Sequence, residues 1–432
     1  MKQRLFDHYY ALLLLSALTL FFWYFDLAWI GLPLYGLGIL LTFLFSKDAI
    51  DTVPFVLNSL FMIKTPIETS TLPLYVFAIP LSMILGFVVF MMKNKTKPVI
   101  GKLFYPILGL VIISFISTIN SDFISPIYFL YLGSGVFMFI IYFMYRSFVK
   151  GNYSQHLVKI LFVLGMLVSI QIGLFYINVE TLSSIFEARS IELGWGGSSE
   201  AATYLLMFIP ATFFYAKISK RNLVVILIGT FEILTLFLTL SRGGILTFLF
   251  VFILLMIFLF RSSTWTKTLF HFGIALLIMG LVIYLNYPSF LKIFNYFKDL
   301  VFIDNGHIEL YEIGISRFLT HPLLGVGIIA RINFVGGVGF YYNFILQTLI
   351  SFGILGFLML LWQYLKIYQV MMFQIKTKTT VLGIAILGAT IQGLVDNVYY
   401  MPQFMLVFML IFAIVEVSNQ HYDVFLKEII NS

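Results

Sequence analysis

The sequence predicts an all-α protein that crosses a membrane many times, and its bulk properties carry that prediction. Of its 432 residues, 61% are hydrophobic and 10% are charged, whereas soluble domains carry about 25% charged residues. The mean hydropathy is +1.02. This composition excludes a soluble enzyme, a disordered chain and a nucleic-acid-binding protein. The absence of cysteine excludes a disulfide scaffold and a cysteine-ligated metal.

Apolar runs long enough to cross a bilayer as helices follow one another along the chain. A helical span needs about 20 residues. The runs are 9–25, 27–45, 72–92, 103–119, 126–145, 157–178, 201–216, 222–240, 243–260, 268–285, 344–365, 379–395 and 402–417. A shorter run at 49–63 is ambiguous by length alone. The predicted fold therefore has about 12–14 transmembrane helices.

Basic residues in short loops orient the chain, because they favour the cytoplasmic side. Placing both Lys2 and Lys93 inside requires an even number of crossings between them, so residues 49–63 are predicted to cross as well. Both chain ends are then cytoplasmic. Four of the eight arginines fall on the outer side, against three of the eighteen lysines. Outward arginines run against the orientation rule and indicate either a function or interfacial snorkelling.

The predicted organisation follows the alternation of apolar and polar stretches. Its segments are N-terminal transmembrane helices (1–178), an outer loop (179–200), transmembrane helices with an S-R-G junction (201–285), a large extracytoplasmic loop (286–340), C-terminal transmembrane helices (341–417) and a cytoplasmic tail (418–432).

The large outer loop contains one predicted helix and two glycine runs. Apolar residues recur at helical spacing over 307–320, which predicts an amphipathic helix on the outer surface that ends before Pro322. Glycines follow at 325–327 and 336–339. They allow backbone amides to approach an anion, or they make a tight return to the membrane, which is the favoured interpretation.

Arg242 is the most informative single residue. Ser241-Arg242-Gly243-Gly244 joins two spans with almost no loop at the predicted outer face. A guanidinium beside a helix N-terminus suits a phosphate group. The alternative is an arginine at a helix end that binds lipid headgroups. Glu232, in the middle of a predicted span, indicates a proton relay or, more simply, an interhelical hydrogen bond.

Three motifs in order resemble the O-antigen ligase/polymerase superfamily. The first is Ser241-Arg242-Gly243 between two spans, and the second combines Glu309-Leu310-Tyr311 with the segment 321–327 (HPLLGVG). The third begins at Tyr342-Asn343 and ends, after nine residues, in Gly353-Ile354-Leu355-Gly356. The resemblance covers roughly residues 185–360.

This resemblance implies a membrane glycosyltransferase with a GT-C-like helical fold in the bacterial cytoplasmic membrane. Its active site would lie on the extracytoplasmic face, and its donor would be an oligosaccharide on a polyprenyl diphosphate. Polymerases in the family add the growing chain to the next lipid-linked repeat unit, whereas ligases transfer it to another acceptor. No metal or other cofactor is implied. A flippase, a chain-length regulator and membrane lipid are the expected partners.

The chain departs from the family pattern at the residues expected to carry catalysis. The histidine usual in the third motif is Tyr342, and the second motif has His307 in place of arginine and Tyr311 in place of tryptophan. The loss of the histidine favours a polymerase over a ligase and leaves the base open. The base candidates are Glu200, His307, Tyr342 and Asp396.

The reaction requires positive charge beside the departing diphosphate. Arg242 is the leading catalytic candidate, and Arg189, Arg317 and Arg331 are predicted to bind substrate with it. Tyr311, Asn343 and Asp396 complete the predicted substrate-binding set, and Trp195, Tyr311, Tyr341 and Tyr342 are candidates for stacking on sugars. A lipid-linked glycan transporter or flippase is the alternative outside the enzymes, because such proteins also have 12–14 helices.

Overall fold

The computed structural model describes residues 8–66, 73–95, 97–121, 124, 126–178, 191–261, 265–285, 287, 291, 307–328, 341–374 and 380–431. Its helices are α1 (Tyr9–Tyr24), α2 (Ala28–Phe45), α3 (Val53–Ser59), α4 (Ala78–Asn94), α5 (Phe104–Ile116), α6 (Pro126–Phe148), α7 (Ser154–Asn178), α8 (Ser198–Ile218), α9 (Asn222–Leu238), α10 (Arg242–Phe260), α11 (Trp265–Leu285), α12 (His307–Thr320), α13 (Phe344–Gln374), α14 (Thr380–Gly393) and α15 (Pro402–Asn431).

The protein is an all-helical, polytopic membrane protein, as the composition predicts. Within the described residues, nine helices are long and apolar enough to cross a membrane, and four shorter apolar helices accompany them. The shorter ones contain α1, α5, α9 and α14. Polar residues follow the last turn of two of these helices. Ser46 is the C-cap of α2, and Lys95, in a left-handed conformation with φ 45°, is the C-cap of α4.

Two neighbouring helices near the N-terminus run parallel, which determines the path of the chain between them. Gly36 of α2 lies against Ser82 of α4. Further along both helices, the rings of Phe43 and Phe87 lie 4.8 Å apart between centroids. Because the contacts advance in the same direction along both helices, the chain between α2 and α4 must return along their length.

Residues 49–65 make this return as a broken segment. Asp48 lies at the end of α2, the Phe55 ring lies 5.7 Å from that of Tyr35, and Lys64 Nζ donates to the carbonyl of Tyr24 at 2.9 Å. The seven residues of α3 span only about 10 Å, so a 3₁₀ turn and extended backbone supply the rest. The crossing predicted from charge parity falls in this segment, which is not one continuous helix, and the crossing stays a prediction.

Buried hydroxyl and amide groups hold the broken segment against α1 and α2. Ser16 Oγ donates to Asn58 Oδ1 at 2.8 Å, and Thr19 Oγ1 and Tyr35 Oη lie 2.9 Å apart. Asn58 Nδ2 donates to the carbonyl of Pro54 at 2.9 Å. These hydrogen bonds satisfy hydroxyl and amide groups that would have no partner in the hydrocarbon of a bilayer.

The chain divides into two compact units. Unit 1 contains residues 1–157, 309–378 and 393–432, and unit 2 contains residues 158–308 and 379–392. In unit 2, α8 packs against α9 and α10, and α9 also packs against α11. Helix α14 joins this unit where Gly388 lies against Val251 of α10.

Predicted cytoplasmic residues of unit 1 lie together at one end. Lys93 Nζ donates to the carbonyl of Leu44, and the amide of Lys150 donates to Asp48 Oδ2 at 3.3 Å. The amide of Tyr153 donates to Ser418 Oγ at 3.1 Å. The ends of α2, α4 and α6 and the second half of α15 therefore meet, as the orientation rule predicts.

Arg146 differs from the other basic residues at this end because its charge is paired inside the protein. It is 5% exposed, and its Nε lies 3.1 Å from Glu416 Oε1. Tyr142 Oη donates to Glu416 Oε2 at 2.6 Å, and the amide of Lys102 donates to Oε1 at 2.8 Å. Burial of the pair requires these extra bonds, so Arg146 is a structural residue of this end.

The predicted cytoplasmic tail, residues 418–432, stays a prediction, and its backbone continues the last helix. Helix α15 continues to Asn431. The hydropathy falls after Val417, but Ser418 accepts the amide of Tyr153, and Asn419 Nδ2 donates to the carbonyl of Val370 at 3.0 Å. These contacts carry the helix past the end of the apolar run.

Candidate functional site

The corner, defined here as residues 239–244, joins α9 to α10 by a strained turn. Leu240 adopts φ +61°, a left-handed conformation that costs a non-glycine residue roughly 1–2 kcal/mol. Leu240 is nevertheless only 3% exposed. Its amide donates to the carbonyl of Phe237 at 3.2 Å, so packing and hydrogen bonding hold the turn.

Ser241 then caps α10. Its Oγ accepts the amide of Gly244 at 3.0 Å, and its carbonyl accepts the amide of Ile245 at 3.0 Å. Arg242 is therefore the first residue of α10, and its side chain is partly exposed. A cation here adds to the positive end of the helix dipole, which favours an anionic ligand.

Glu200 lies in the first turn of α8, beside the first turn of α10. A Cβ on Gly244 would lie 2.5 Å from Ala202 Cβ, so the two helices touch closely at this point. Glu200 Oε2 accepts the amide of Gly197 at 3.1 Å and so caps α8. Two predicted catalytic residues, Arg242 and Glu200, thus lie on neighbouring helix starts, but the carboxylate already has a structural role.

A buried glutamine also contacts the corner. Gln392, in the last turn of α14, is fully buried. Its Nε2 donates to Ser241 Oγ at 3.4 Å, and its Oε1 accepts Thr247 Oγ1 at 3.2 Å. In the sequence, Gln392 lies four residues before Asp396.

Trp195 is wrong as a sugar-stacking candidate. It is 4% exposed, and its Nε1 donates to Gln171 Oε1 at 3.1 Å. The turn at 191–197 folds back on itself through a bond from Leu193 N to the carbonyl of Gly196, which buries the indole against Tyr204.

Glu232 makes the interhelical hydrogen bond that the sequence favoured. It is fully buried, and Thr212 Oγ1 of α8 donates to its Oε2 at 2.7 Å. The Oε1 atom lies in space left by Gly165, since a Cβ there would lie 2.5 Å from it. The contact joins α7, α8 and α9.

In unit 1, residues 322–327 interlock with residues 350–355, and we call this arrangement the clasp. Helix α13 breaks at Gly353, where φ is +64°, and the break frees backbone groups on both sides of it. Residues of the loop before α13 satisfy them. The bonds run from Val326 N to Ile350 O (2.9 Å), Gly327 N to Ser351 O (3.0 Å), Ile354 N to Pro322 O (2.8 Å) and Leu355 N to Leu323 O (3.3 Å).

Glycine is required on both sides of the clasp. Gly325 has φ +71°, and a Cβ there would overlap the backbone of Ser351 and Phe352. A Cβ on Gly353 would overlap the backbone of Leu323. This glycine run therefore makes a tight turn against α13, and its return to the membrane stays a prediction. The anion alternative is wrong for this run, because the amides of 326 and 327 donate to carbonyls. The run 336–339 lies outside the described residues.

Helix α12 forms over the predicted residues, but only some of its regularly spaced apolar side chains pack against the protein. Leu310 and Gly314 are buried, whereas Ile315 and Leu319 are 50% and 67% exposed. Gly314 packs on the ring of Tyr341. The face that meets the protein therefore follows 310 and 314, and the apolar side chains at 315 and 319 point elsewhere.

Tyr341 is also wrong as a sugar-stacking candidate, because its side chain is fully buried. Its amide donates to Gln347 Oε1 at 2.9 Å. Burial raises the pKa of the Tyr341 phenol, and the nearby positive charge of Arg317 opposes that shift. Arg317, a predicted substrate-binding residue, therefore lies close to Tyr341 at the end of α12.

The next residues form what we call the outer group, which consists of Tyr311, Tyr342, Asn343 and Asp396. Asn343 Oδ1 caps α13 by accepting the amides at 345 and 346, and its Nδ2 donates to the carbonyl of Leu394 at 3.0 Å. This bond brings the segment with Asp396 to Tyr342, which is 39% exposed. Burial, and secondly the negative charge of Asp396, raise the pKa of Tyr311.

Three predicted site residues are not placed. Arg189 and Arg331 lie outside the described residues, as does the side chain of His307, whose backbone begins α12. The predicted convergence of Arg242 with the other outer arginines stays a prediction. Among the residues that the structure does describe, no three His, Asp or Glu side chains come together as metal ligands.

The corner and the clasp both fall in one matched stretch of sequence. Residues 223–361 match a family model described as O-antigen ligase. Residues 223–361 are an O-antigen ligase domain. Members of this family are membrane enzymes that transfer glycans from lipid-linked substrates. No curated protein matches the chain as a whole.

The O-antigen ligase domain shows what the motifs do locally. The S-R-G motif is the corner, and the two glycine motifs are the two halves of the clasp. Sequence reasoning missed Gln392 and the left-handed Leu240. The only signals for them were a polar residue at a span end and the shortness of the junction.

Proposed function

We propose that the protein is a glycosyltransferase that polymerises polyprenyl-diphosphate-linked oligosaccharide repeat units into a surface polysaccharide. The reaction would take place on the outer face of the cytoplasmic membrane. The observation that carries this proposal is the corner, where a permanently charged arginine opens a helix within an O-antigen ligase domain.

The proposed chemistry follows from where charge develops. The acceptor hydroxyl oxygen forms a bond to the anomeric carbon as the bond from that carbon to the diphosphate oxygen breaks. Negative charge grows on the departing polyprenyl diphosphate. Arg242 and the first amides of α10 stabilise it, because they are already oriented and need no rearrangement during the reaction.

The acceptor hydroxyl must lose its proton in the same step. Asp396, one of the base candidates, belongs to unit 1, whereas Arg242 belongs to unit 2. Asp396 is partly exposed and lies in the outer group beside Tyr311. Glu200 caps α8, and a phenol such as that of Tyr342 is a poor base at neutral pH. The proton would go to one of the four base candidates, Glu200, His307, Tyr342 and Asp396.

Substitution of Arg242 tests the proposal. Arg242→Lys, Arg242→Gln and Arg242→Ala should each shorten the polymer, with Gln and Ala lowering the rate about 10²- to 10³-fold, because one preorganised donor is worth about 3–4 kcal/mol. Polymer length is followed on gels in a host that lacks its own copy of the gene. Arg261→Gln, at the opposite end of α10, is the matched control and should leave the length unchanged. Undiminished polymer with all three Arg242 variants would remove the corner from the mechanism.

A ligase is the second candidate, favoured by the description of the matching family. The two functions differ in what accumulates when the gene is deleted. Loss of a polymerase leaves single repeat units on the polyprenyl diphosphate, whereas loss of a ligase leaves long chains there. Size analysis of the lipid-linked glycan therefore decides between them.

A further inference from the structure

Gln392 makes two polar contacts that lie on either side of Arg242 in the sequence. Its amide nitrogen donates to Ser241 Oγ at 3.4 Å, and its amide oxygen accepts Thr247 Oγ1 at 3.2 Å. Gln392, Ser241 and Thr247 are each less than 5% exposed. One side chain from α14 therefore contacts both the capping residue and the second turn of α10.

Close packing of the helices alone does not require this amide. One turn before Gln392 in α14, Gly388 packs against Val251 of α10. A Cβ on Gly388 would lie only 2.8 Å from Val251 Cγ2. An apolar side chain at 392 would extend that packing without the cost of burying a polar group. The amide instead supplies direction, because a hydrogen bond fixes orientation as well as distance.

The turn that Gln392 contacts has a local reason to need support. Leu240 is held in a left-handed conformation, and Ser241 must stay extended to cap α10. Ser241 Oγ already accepts the amide of Gly244, and the Gln392 amide fixes the same oxygen from the other side. If the cap moved, the start of α10 would move with it, and Arg242 is the next residue.

We propose that Gln392 is a positioning residue for Arg242. It holds the first turn of α10 from α14 and so sets the direction in which the guanidinium leaves the helix. This inference rests on the proposed function, in which Arg242 stabilises the departing diphosphate. Gln392 itself is buried and does not touch substrate.

The test compares Gln392→Met, which keeps the volume and removes both hydrogen bonds, with the unmodified full-length protein in lipid nanodiscs. The probe is a solvent extract of lipid-linked repeat units from host membranes that lack the gene. We expect kcat to fall about 10- to 100-fold, as for a small displacement of a catalytic group, while KM for the extract stays the same. Gln363→Met is the matched control. It removes another fully buried glutamine, which donates to Tyr399 Oη at 2.8 Å, and should leave kcat unchanged.

A double variant separates positioning from general damage. If Gln392 acts through Arg242, adding Gln392→Met to Arg242→Ala should lower kcat no further, because residues that act as a unit are not additive. Thr247→Val removes one of the two bonds and should give a smaller loss, with the same non-additivity. It also serves if Gln392→Met fails to accumulate.

Three outcomes would overturn the inference. The first is wild-type kcat in both Gln392→Met and Thr247→Val. The second is a double variant in which the two losses of kcat multiply. The third is a loss of kcat in Gln363→Met equal to that in Gln392→Met. Full activity of the Arg242 variants would instead overturn the proposed function. Low activity of those variants, together with wild-type kcat in both Gln392→Met and Thr247→Val, would overturn the positioning role alone.

Discussion

The corner and the clasp are two sharp turns in one O-antigen ligase domain, and they are stabilised in opposite ways. At the corner, a leucine occupies the left-handed position, and side chains of Thr239, Ser241 and Gln392 hold the surrounding backbone. At the clasp, glycines occupy the left-handed positions, and backbone groups bind one another directly.

The difference indicates what each turn is for. The clasp brings two backbones so close that no Cβ fits, and it presents few side chains. The corner keeps its side chains, tolerates strain and places a cation at a helix start. Strain that the surrounding structure holds in place is typical of functional sites. We therefore expect substitutions in the clasp to lower stability, and substitutions in the corner to lower the rate.

The largest effect on stability is expected at the clasp. Gly353→Ala should destabilise the protein by on the order of 3 kcal/mol or more, because the new methyl group overlaps the backbone of Leu323 and the residue must keep φ +64°. Thermal unfolding in detergent and the amount of protein in membranes measure this loss.

The control for that experiment is a glycine in open space. No atom lies within 4 Å of a Cβ built on Gly133 in α6, so Gly133→Ala should change the unfolding free energy by less than about 1 kcal/mol. Equal stability of Gly353→Ala and Gly133→Ala would mean that the clasp does not hold the loop.

An intermediate effect is expected where the corner uses a glycine. Gly244→Ala places a Cβ 2.5 Å from Ala202 Cβ, and such overpacking typically costs about 1–3 kcal/mol. Because it pushes α8 from the first turn of α10, it should also slow chain growth. Adding Ala202→Gly should restore both properties. A rate that stays low while stability recovers would show that the overlap is not the cause.

The smallest effect tests whether α12, which leads into the clasp, also responds to charge in the outer group. The pKa of Tyr311 is raised, so the folded protein keeps this proton at a pH where the unfolded chain has lost it. Its contribution to stability is complete below about pH 10, the ordinary pKa, and is lost as the pH rises further. Tyr311→Phe should make the loss of unfolding temperature above pH 10 shallower.

Removing the negative charge of Asp396 checks the assigned cause. Asp396→Asn should lessen the alkaline loss, but by less than Tyr311→Phe does, since burial is the larger cause of the raised pKa. An unchanged alkaline slope in both variants would show that Tyr311 contributes nothing to it.

The sequence was sufficient for much of the fold, because hydropathy and charge act locally. The apolar runs became helices, and residues 307–320 formed α12. The sequence did not distinguish buried from exposed aromatic residues. Trp195 and Tyr341 are aromatic residues of the kinds enriched at membrane interfaces, yet tertiary contacts bury both.

The candidate site was less predictable, since it depends on contacts between distant residues. Arg242 was identifiable because it falls, beside two glycines, at a predicted outer junction that joins two spans with almost no loop. Gln392 was not identifiable as its support, because 151 residues separate it from Ser241. The clasp was visible only as two glycine motifs, whose mutual contact requires the break in α13.

The broken segment at residues 49–65 has a consequence for how the protein is made. A stretch of extended backbone cannot enter hydrocarbon alone, since its amides and carbonyls would lack partners. Ser16 and Thr19 of α1 donate to Asn58 of the broken segment, and Tyr35 of α2 lies in hydrogen-bond contact with Thr19. Insertion of this segment during synthesis must therefore wait for α1 and α2, so the order of translation becomes part of the folding mechanism.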